Sequence, residues 1–300
     1  MNSQMTNYIN EFLNYKSDVE NGSPRTQKAY KQDLVNSFIP FLEQHQKTNL
    51  SEITRQDVEE FLVAIRRTSK TGSVANMNRK LATIKSFLEF LHMRGVSYNQ
   101  NINEIKSPKS HTRTICYLTE EEQERLLATI ETTATPFYKA RDLAIIKLFL
   151  GSGIRVSELT NLRLTDIEIH TKGVSYIHVK RKGGNEVQLP INSKTVFAIK
   201  TYISKRKDIE NVPYLFLSKN HKQMEANSIY HLVKHYLQKA EIEKKKWGPH
   251  ILRHTVGVSL RRRGIDIATI QHLLGHKKLE TTAIYLNVES QDLEKAVQLL

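Results

Sequence analysis

Six side chains of this 300-residue chain could act together on a phosphate: Arg155, Lys182, the pair His250 and Arg253 in a His-x-x-Arg spacing, His276 and Tyr285. The first five are cations or hydrogen-bond donors. Guanidinium groups suit phosphate oxygens especially well, because their planar fork of N–H donors meets two oxygens at once. Tyr285 adds a phenol able to attack the phosphorus. A phenol with its ordinary pKa near 10 is a poor nucleophile at neutral pH, so the cations must stabilise charge on the five-coordinate phosphorus and the departing oxygen needs a proton. Donors placed in advance around developing charge are each worth about 3–4 kcal/mol when removed, enough to run the step without a metal. Together these groups point to strand cleavage through a phosphotyrosyl bond. Such a bond retains the ester's energy, so a strand can be rejoined without ATP.

Local sequence says how each group is presented. Gly151-Ser152-Gly153 precedes Arg155, which then opens a helix carrying Val156, Leu159 and Leu162; a helix start offers free amides and a positive dipole end to an anion. Glu158 is an acid in that first turn, where the dipole favours it. Pro249 suits a first helical position, and His250 and Arg253 at i and i+3 then share one face. His254 follows at i+4. Together with His231 and His235 it raises the question of metal ligation, but no helix carries a His-Glu-x-x-His pattern and the surroundings are cationic, so no metal and no cofactor is expected. Gly275 is expected to end a helix begun near Asp266 and to leave His276 exposed at its exit. Tyr285 lies between Ile284 and Leu286, where composition alone reads as core. Lys180 and Lys182 alternate along a strand, share a face and are both available.

The elements that must position these groups fall into two blocks. Residues 1–98 carry apolar stripes at helical spacing, such as Tyr8, Ile9, Phe12, Leu13 and Leu81, Ile84, Phe87, Leu88, Leu91, broken at Asn21-Gly22-Ser23-Pro24, Thr71-Gly72-Ser73 and Gly95. Periodicity fades over 99–117, a polar, basic stretch read as a linker. The block 118–300 starts with a capping-box pattern at Thr119 and Glu122. It continues with a largely buried helix over 139–150, a strand pair over 174–180 and 186–191 turned at Gly183-Gly184-Asn185, and further helices. The end of the chain, SQDLEKAVQLL, reads as a short amphipathic helix that either docks on a neighbouring subunit or caps its own domain. The fold class is therefore mainly α with a small β-sheet: an all-helical domain followed by an α+β domain.

Bulk properties bound the partner. A formal charge of +14 suits a phosphate-rich partner, because each neutralised phosphate releases counterions. RNA or an anionic membrane would satisfy the same charge. Basic clusters at Arg66-Arg67, Arg79-Lys80, Lys180-Arg181-Lys182, Lys244-Lys245-Lys246 and Arg261-Arg262-Arg263 are spread over both blocks, as a clamp around a duplex requires. The single cysteine, Cys116, excludes an internal disulfide and a cysteine-rich zinc site. No apolar run reaches the roughly 20 residues of a bilayer span, and the start lacks a basic region followed by an apolar run. A cytoplasmic, nucleoid-associated protein is expected, with no membrane partner.

The segments GSGIRVSELTNL, VKRKGGNEVQLPI, GPHILRHT and LLGHKKLETTAIYLNV stand in the order and approximate spacing of the tyrosine recombinase (phage integrase) family, and SPRTQKAYKQDLVNSFIPFLEQ resembles its N-terminal core-binding, SAM-like domain. The chain resembles the simple Xer-like or transposon-borne members, and an additional arm-binding domain before the core-binding region is not expected. The resemblance implies that Arg155, Lys182, His250, Arg253, His276 and Tyr285 are catalytic, with Tyr285 the nucleophile, Lys182 the proton donor beside the glycine turn, and Glu158 an orienting acid. It also implies double-stranded DNA with short inverted-repeat core sites as substrate. The assembly would be a homo-tetramer on two sites, or a hetero-tetramer with a paralogue, exchanging strands in pairs. Arg79, Lys80, Lys180 and Arg181 are read as DNA contacts. The chain departs from the family pattern at Arg181, where glycine is usual, at Val187, where arginine is frequent, and at Asn287, where a histidine often follows the nucleophile. Two other readings share the same residues: a type IB topoisomerase-like enzyme, and a DNA-binding regulator that has lost catalysis.

Overall fold

The computed structural model describes residues 3–47, 49–68, 74–108, 115–181, 184–206, 212–276 and 279–288. The chain divides into two compact units, Met1–Arg113 and Thr114–Leu300. The first is helical: α1 (Ser3–Asp18), α2 (Pro24–Asp33), α3 (Ile39–Gln44), α4 (Arg55–Thr68) and α5 (Val74–Met93), with a π-helical turn over Leu34–Phe38 joining α2 to α3. The stripes seen in the sequence close on one another. Ile9 and Phe12 of α1 and Ile84, Phe87, Leu88 and Leu91 of α5 are all buried, with Phe12 meeting Phe87 edge-on at 5.4 Å between ring centroids. Burying side chains of this size stabilises by about 1.5–3 kcal/mol each. Ser23 caps α2 through its hydroxyl, and Pro24 occupies the first helical position, where no N–H is needed.

Two expectations for this unit change. A DNA contact by Lys80 needs its ammonium at the surface, but Lys80 is buried and ion-paired to Asp33 at 3.2 Å. Arg79 also pairs with Asp33, and Thr83 donates to the same carboxylate at 3.0 Å. Asp33 is itself only 2% exposed, and an uncompensated carboxylate there would be costly, so both cations neutralise it. Second, the polar stretch from residue 99 does not run free. A 3-10 turn over Gln100–Glu104 buries Ile102, Ile105 follows it into the core, and Lys85 donates to the carbonyls of Asn103 and Ile105. Two isoleucines among polar neighbours are enough to recruit the segment. The Thr71-Gly72-Ser73 punctuation lies outside the described residues.

The second unit contains α6 (Glu120–Thr133), α7 (Pro136–Ser152), α8 (Val156–Asn161), strands β1 (Ile167–Glu168), β2 (Ser175–Lys180) and β3 (Glu186–Ile191), then α9 (Ser193–Lys205), α10 (Ala226–Lys239), α11 (Pro249–Arg262), α12 (Ile267–Leu274) and α13 (Glu280–Ala283), with a 3-10 turn over Ile284–Val288. The capping box forms as its residues require: Thr119 accepts from the Glu122 amide and Glu122 accepts from the Thr119 amide. Helix α7 is buried around most of its circumference, starts three residues earlier than the apolar pattern suggests, and retains Gly151 and Ser152 before Gly153 ends it in the left-handed region at φ 63°. The sheet is antiparallel in the order β1-β2-β3, with Tyr176 opposite Pro190 and Lys180 opposite Glu186. The architecture is thus mainly helical with a small sheet, as expected; the two-residue β1 is too short to leave a periodic trace in sequence.

A main core built on α7 fills this unit, and a smaller cluster of Val256, Val258, Ile270, Leu274 and Tyr285 joins α11 to α12 and the turn after α13. That second cluster holds Tyr285 and the last turn of α12. Among the described residues no helix is long and apolar enough to cross a membrane.

Candidate active site

The site is organised around the end of α12. Asp266 caps its start by accepting from the Thr269 amide at 2.9 Å. At the other end Gly275 turns left-handed at φ 61°, where an L side chain would be strained. The Gly275 amide then donates to His272 O, and the His276 amide reaches back to Gln271 O, the two bonds of a Schellman close. The last carbonyls of a helix carry partial negative charge and need donors from elsewhere. Here three arginines from three different elements supply them. Arg181, just past β2, donates to His272 O at 3.2 Å and Leu273 O at 2.7 Å. Arg253 of α11 donates to Leu274 O, and to Gly153 O at 2.5 Å. Arg155, the residue before α8, donates to Gly275 O.

Three guanidiniums so close together repel one another, and the carboxylate among them is Glu158. It pairs with Arg155 at 2.7 Å, lies 3.8 Å from Arg181 Nε, and is only 6% exposed. Among the described residues, one carboxylate for three guanidiniums leaves excess positive charge, which an incoming phosphate would neutralise. Burial first, and Arg155 second, push the Arg253 pKa down to about 10, which leaves it cationic at neutral pH. Among the described residues, Arg155 donates to Glu158 and Gly275 O, and Arg253 to Gly153 O and Leu274 O, two bonds from each guanidinium's five N–H donors. The expected gift of helix-start amides is smaller, since α8 is only six residues long and the Arg155 amide is taken by Glu158 at 2.9 Å.

Tyr285 lies beside this cluster, 1% exposed, with its hydroxyl 2.9 Å from Nδ1 of His254. Its ring is stacked parallel to that of His276 at 6.4 Å between centroids. The ring fills a slot over α11 that exists because residue 257 is glycine. Burial pushes the phenol up to about 12, against the pull of the Arg253 charge, so the hydroxyl stays protonated at neutral pH. Contrary to the expectation of an exposed residue, His276 is half-buried: Thr282 hydrogen-bonds its Nδ1 at 2.9 Å while Tyr285 covers one face. Burial first, then Arg253 and Arg155, lower its pKa to about 4. His254 is lowered to about 4 as well, by burial and then by His250 and Arg253. Both imidazoles are therefore neutral at pH 7. His250, at the start of α11, is exposed while Arg253 three residues on points inward.

Arg155, Arg253, His276 and Tyr285 are thus brought together, with His250 on the same helix as Arg253. Lys182 lies outside the described residues. Lys180 is 79% exposed at its side chain and pairs with Glu186 across the hairpin at 3.1 Å. Arg181, expected from sequence as a DNA contact, directs its guanidinium to the carbonyls of His272 and Leu273. Two participants have no assigned role in the sequence reading. His254, part of the GPHILRHT segment and considered there for metal ligation, turns its Nδ1 to the Tyr285 hydroxyl at 2.9 Å. Gly257 carried no sequence signal beyond being a glycine in mid-helix, a position that costs about 1 kcal/mol relative to alanine and so calls for a packing reason.

The phage integrase family model matches residues 116–292, and the phage integrase N-terminal SAM-like domain matches residues 9–95. The tyrosine recombinase XerC of Caldanaerobacter subterraneus subsp. tengcongensis is 35% identical over 310 residues, covering 96% of this chain and 85% of the relative. A tyrosine recombinase of Thermosipho africanus is 33% identical over 301 residues, covering 99% and 100%. Among solved structures, the XerH site-specific recombinase in a post-cleavage complex with palindromic difH substrate aligns with a TM-score of 0.82 at 21% identity, over 98% of this chain and 95% of that one. At that identity the likeness speaks for the fold.

Proposed function

We propose, on the premise that this chain belongs to the phage integrase family of tyrosine recombinases, that it breaks and rejoins DNA at specific sites through Tyr285. The phenolic oxygen gives up its proton as it bonds to the scissile phosphorus, the bond from phosphorus to the 5′ oxygen breaks as that oxygen gains a proton, and the strand is left as a 3′-phosphotyrosyl ester with a free 5′ hydroxyl. Attack by a 5′ hydroxyl of another strand reverses the step and releases the tyrosine, so no ATP is consumed, and cationic side chains carry the charge in place of a metal. Arg155 and Arg253 hold the non-bridging oxygens. His250 and His276 add donors, and Lys182 delivers the proton to the departing 5′ oxygen. The substrate is double-stranded DNA with short inverted-repeat sites, engaged by four subunits on two sites, in the cytoplasm at the nucleoid.

The observation that supports this reading is the gathering of Arg155 and Arg253 on the carbonyls of Leu274 and Gly275, next to His276, whose ring stacks on that of Tyr285. In the resting arrangement that hydroxyl is held by His254 and is closed to solvent, so engagement of DNA must bring it out to the phosphorus. The test is incubation with nicked suicide substrates of candidate sites. Wild-type protein should accumulate a covalent DNA adduct and Tyr285→Phe should bind DNA without forming one; an adduct that persists in Tyr285→Phe would remove the tyrosine from its role. Relaxation of plasmids lacking a specific site would instead favour a type IB topoisomerase.

A further inference from the structure

We infer that Arg181 is a positioning residue for this chemistry: it fixes the end of β2 and Glu158 against the C-terminus of α12, and so sets the distance between Arg155 and the Gly275-His276 turn. The catalytic half of the inference rests on the recombinase reading above; the structural half does not.

Three contacts tie Arg181 into the site. Its two terminal nitrogens take the carbonyls of His272 and Leu273, and Nε lies 3.8 Å from the Glu158 carboxylate, without a hydrogen-bond partner of its own. The guanidinium lies against Gly275, where any Cβ would collide with it, so this glycine serves both the left-handed turn and the approach of Arg181. The backbone is fixed too: the Arg181 amide donates to Asn185 O at 2.8 Å and its carbonyl accepts from the Gly184 amide at 3.1 Å. The side chain is 12% exposed, and burial outweighs the pull of Glu158 in lowering its pKa. A cation so buried is retained only where it is paired.

The arrangement separates Arg181 from the phosphate-gripping arginines. Both its terminal nitrogens face backbone carbonyls, whereas Arg155, at 31% side-chain exposure, is the more open of the pair that flank Glu158. Removing Arg181 would leave two helix-end carbonyls without side-chain donors and Glu158 with Arg155 as its remaining close guanidinium. The helix end would fray, and Arg155, which bonds to both Glu158 and Gly275 O, would lose its fixed geometry. Misplacement of about 1 Å in such a site costs on the order of 100-fold in rate.

The test compares wild type, Arg181→Gly and Arg181→Lys by three measurements: hydrogen exchange of the DNA-free protein over residues 267–276, equilibrium DNA binding, and the single-turnover rate of adduct formation on a nicked substrate. Arg181→Gly should raise exchange in that segment, leave affinity unchanged and slow adduct formation by roughly 10–100-fold. Arg181→Lys, keeping the charge but not the fork, should restore part of the rate. Unchanged exchange overturns the strut itself. Raised exchange with an unchanged rate overturns its catalytic consequence, and a loss confined to affinity makes Arg181 a groove contact instead. If wild type forms no adduct while exchange still rises in Arg181→Gly, the recombinase reading and the catalytic half fall together and the structural contact stands.

Discussion

Replacing Gly257 by alanine tests the resting position of the nucleophile. A Cβ at this point of α11 would lie 2.5 Å from Cζ of Tyr285 and 2.7 Å from both Cε atoms, closer than carbon atoms approach without bonding. The neighbour is a ring wedged in a cluster with Val256, Ile270 and Leu274, so it must leave the slot or push α11 aside. Alanine is favoured over glycine in a helix interior by about 1 kcal/mol. Overpacking costs about 1–3 kcal/mol. The net destabilisation is then about 0–2 kcal/mol, and at about 2–4 °C per kcal/mol for a unit of this size the melting temperature should fall by no more than about 8 °C. Expulsion acts far more strongly on the phenol. Burial is the main reason its pKa stands at about 12, so an expelled ring returns toward 10. Near pH 8 that two-unit fall raises the phenolate fraction about 100-fold. Tetranitromethane reacts with phenolate, and nitration of the peptide carrying Tyr285 can be followed by mass spectrometry. Nitration of Gly257→Ala should be faster by about that factor; nitration at the wild-type rate, with melting unchanged, would refute the slot.

Arg155→Ala and Arg253→Ala should each slow adduct formation by about 10²–10³-fold while sparing DNA affinity, measured by single-turnover cleavage beside equilibrium binding; an effect on affinity alone would count against them as clamps. Arg253→Ala should also melt at lower temperature, because the carbonyls of Gly153 and Leu274 lose their donor. His254 and His276 are held near 4, below the usual 6.5, so the unfolded chain takes up their protons first: the stability of the folded form is fully present above about pH 6.5 and is lost as pH falls toward 4. Denaturant melts across that range should show a shallower fall in His254→Asn than in wild type. A substrate with sulfur in place of the departing 5′ oxygen needs no proton donor, so it should restore cleavage by Lys182→Ala; rescue of Lys180→Ala instead would move the role to Lys180.

What sequence revealed and what it hid divide along chain separation. The capping box at Thr119, the strand pair before and after the glycine turn and the helix end at Gly275 depend on residues a few positions apart, and each is visible as a local pattern. The burial of Lys80 was not, because it depends on Asp33, 47 positions away. Arg181 reaches α12 across 91 positions and His254 meets Tyr285 across 31, contacts that no periodicity encodes. Tyr285 shows the limit most clearly. Its apolar neighbours suggested core and its place after the His276 box suggested chemistry, and the structure places its ring in a core cluster and its hydroxyl on an imidazole.

The most direct measurement is the chemical identity of the DNA–protein linkage. Adduct trapped on a nicked site should be digested and the DNA-bearing peptide sequenced by mass spectrometry. A 3′-phosphate esterified to Tyr285, formed in the presence of a metal chelator and formed far more slowly by Arg253→Ala, is the expected result. Linkage to any other side chain, or an adduct that requires added metal, would contradict it.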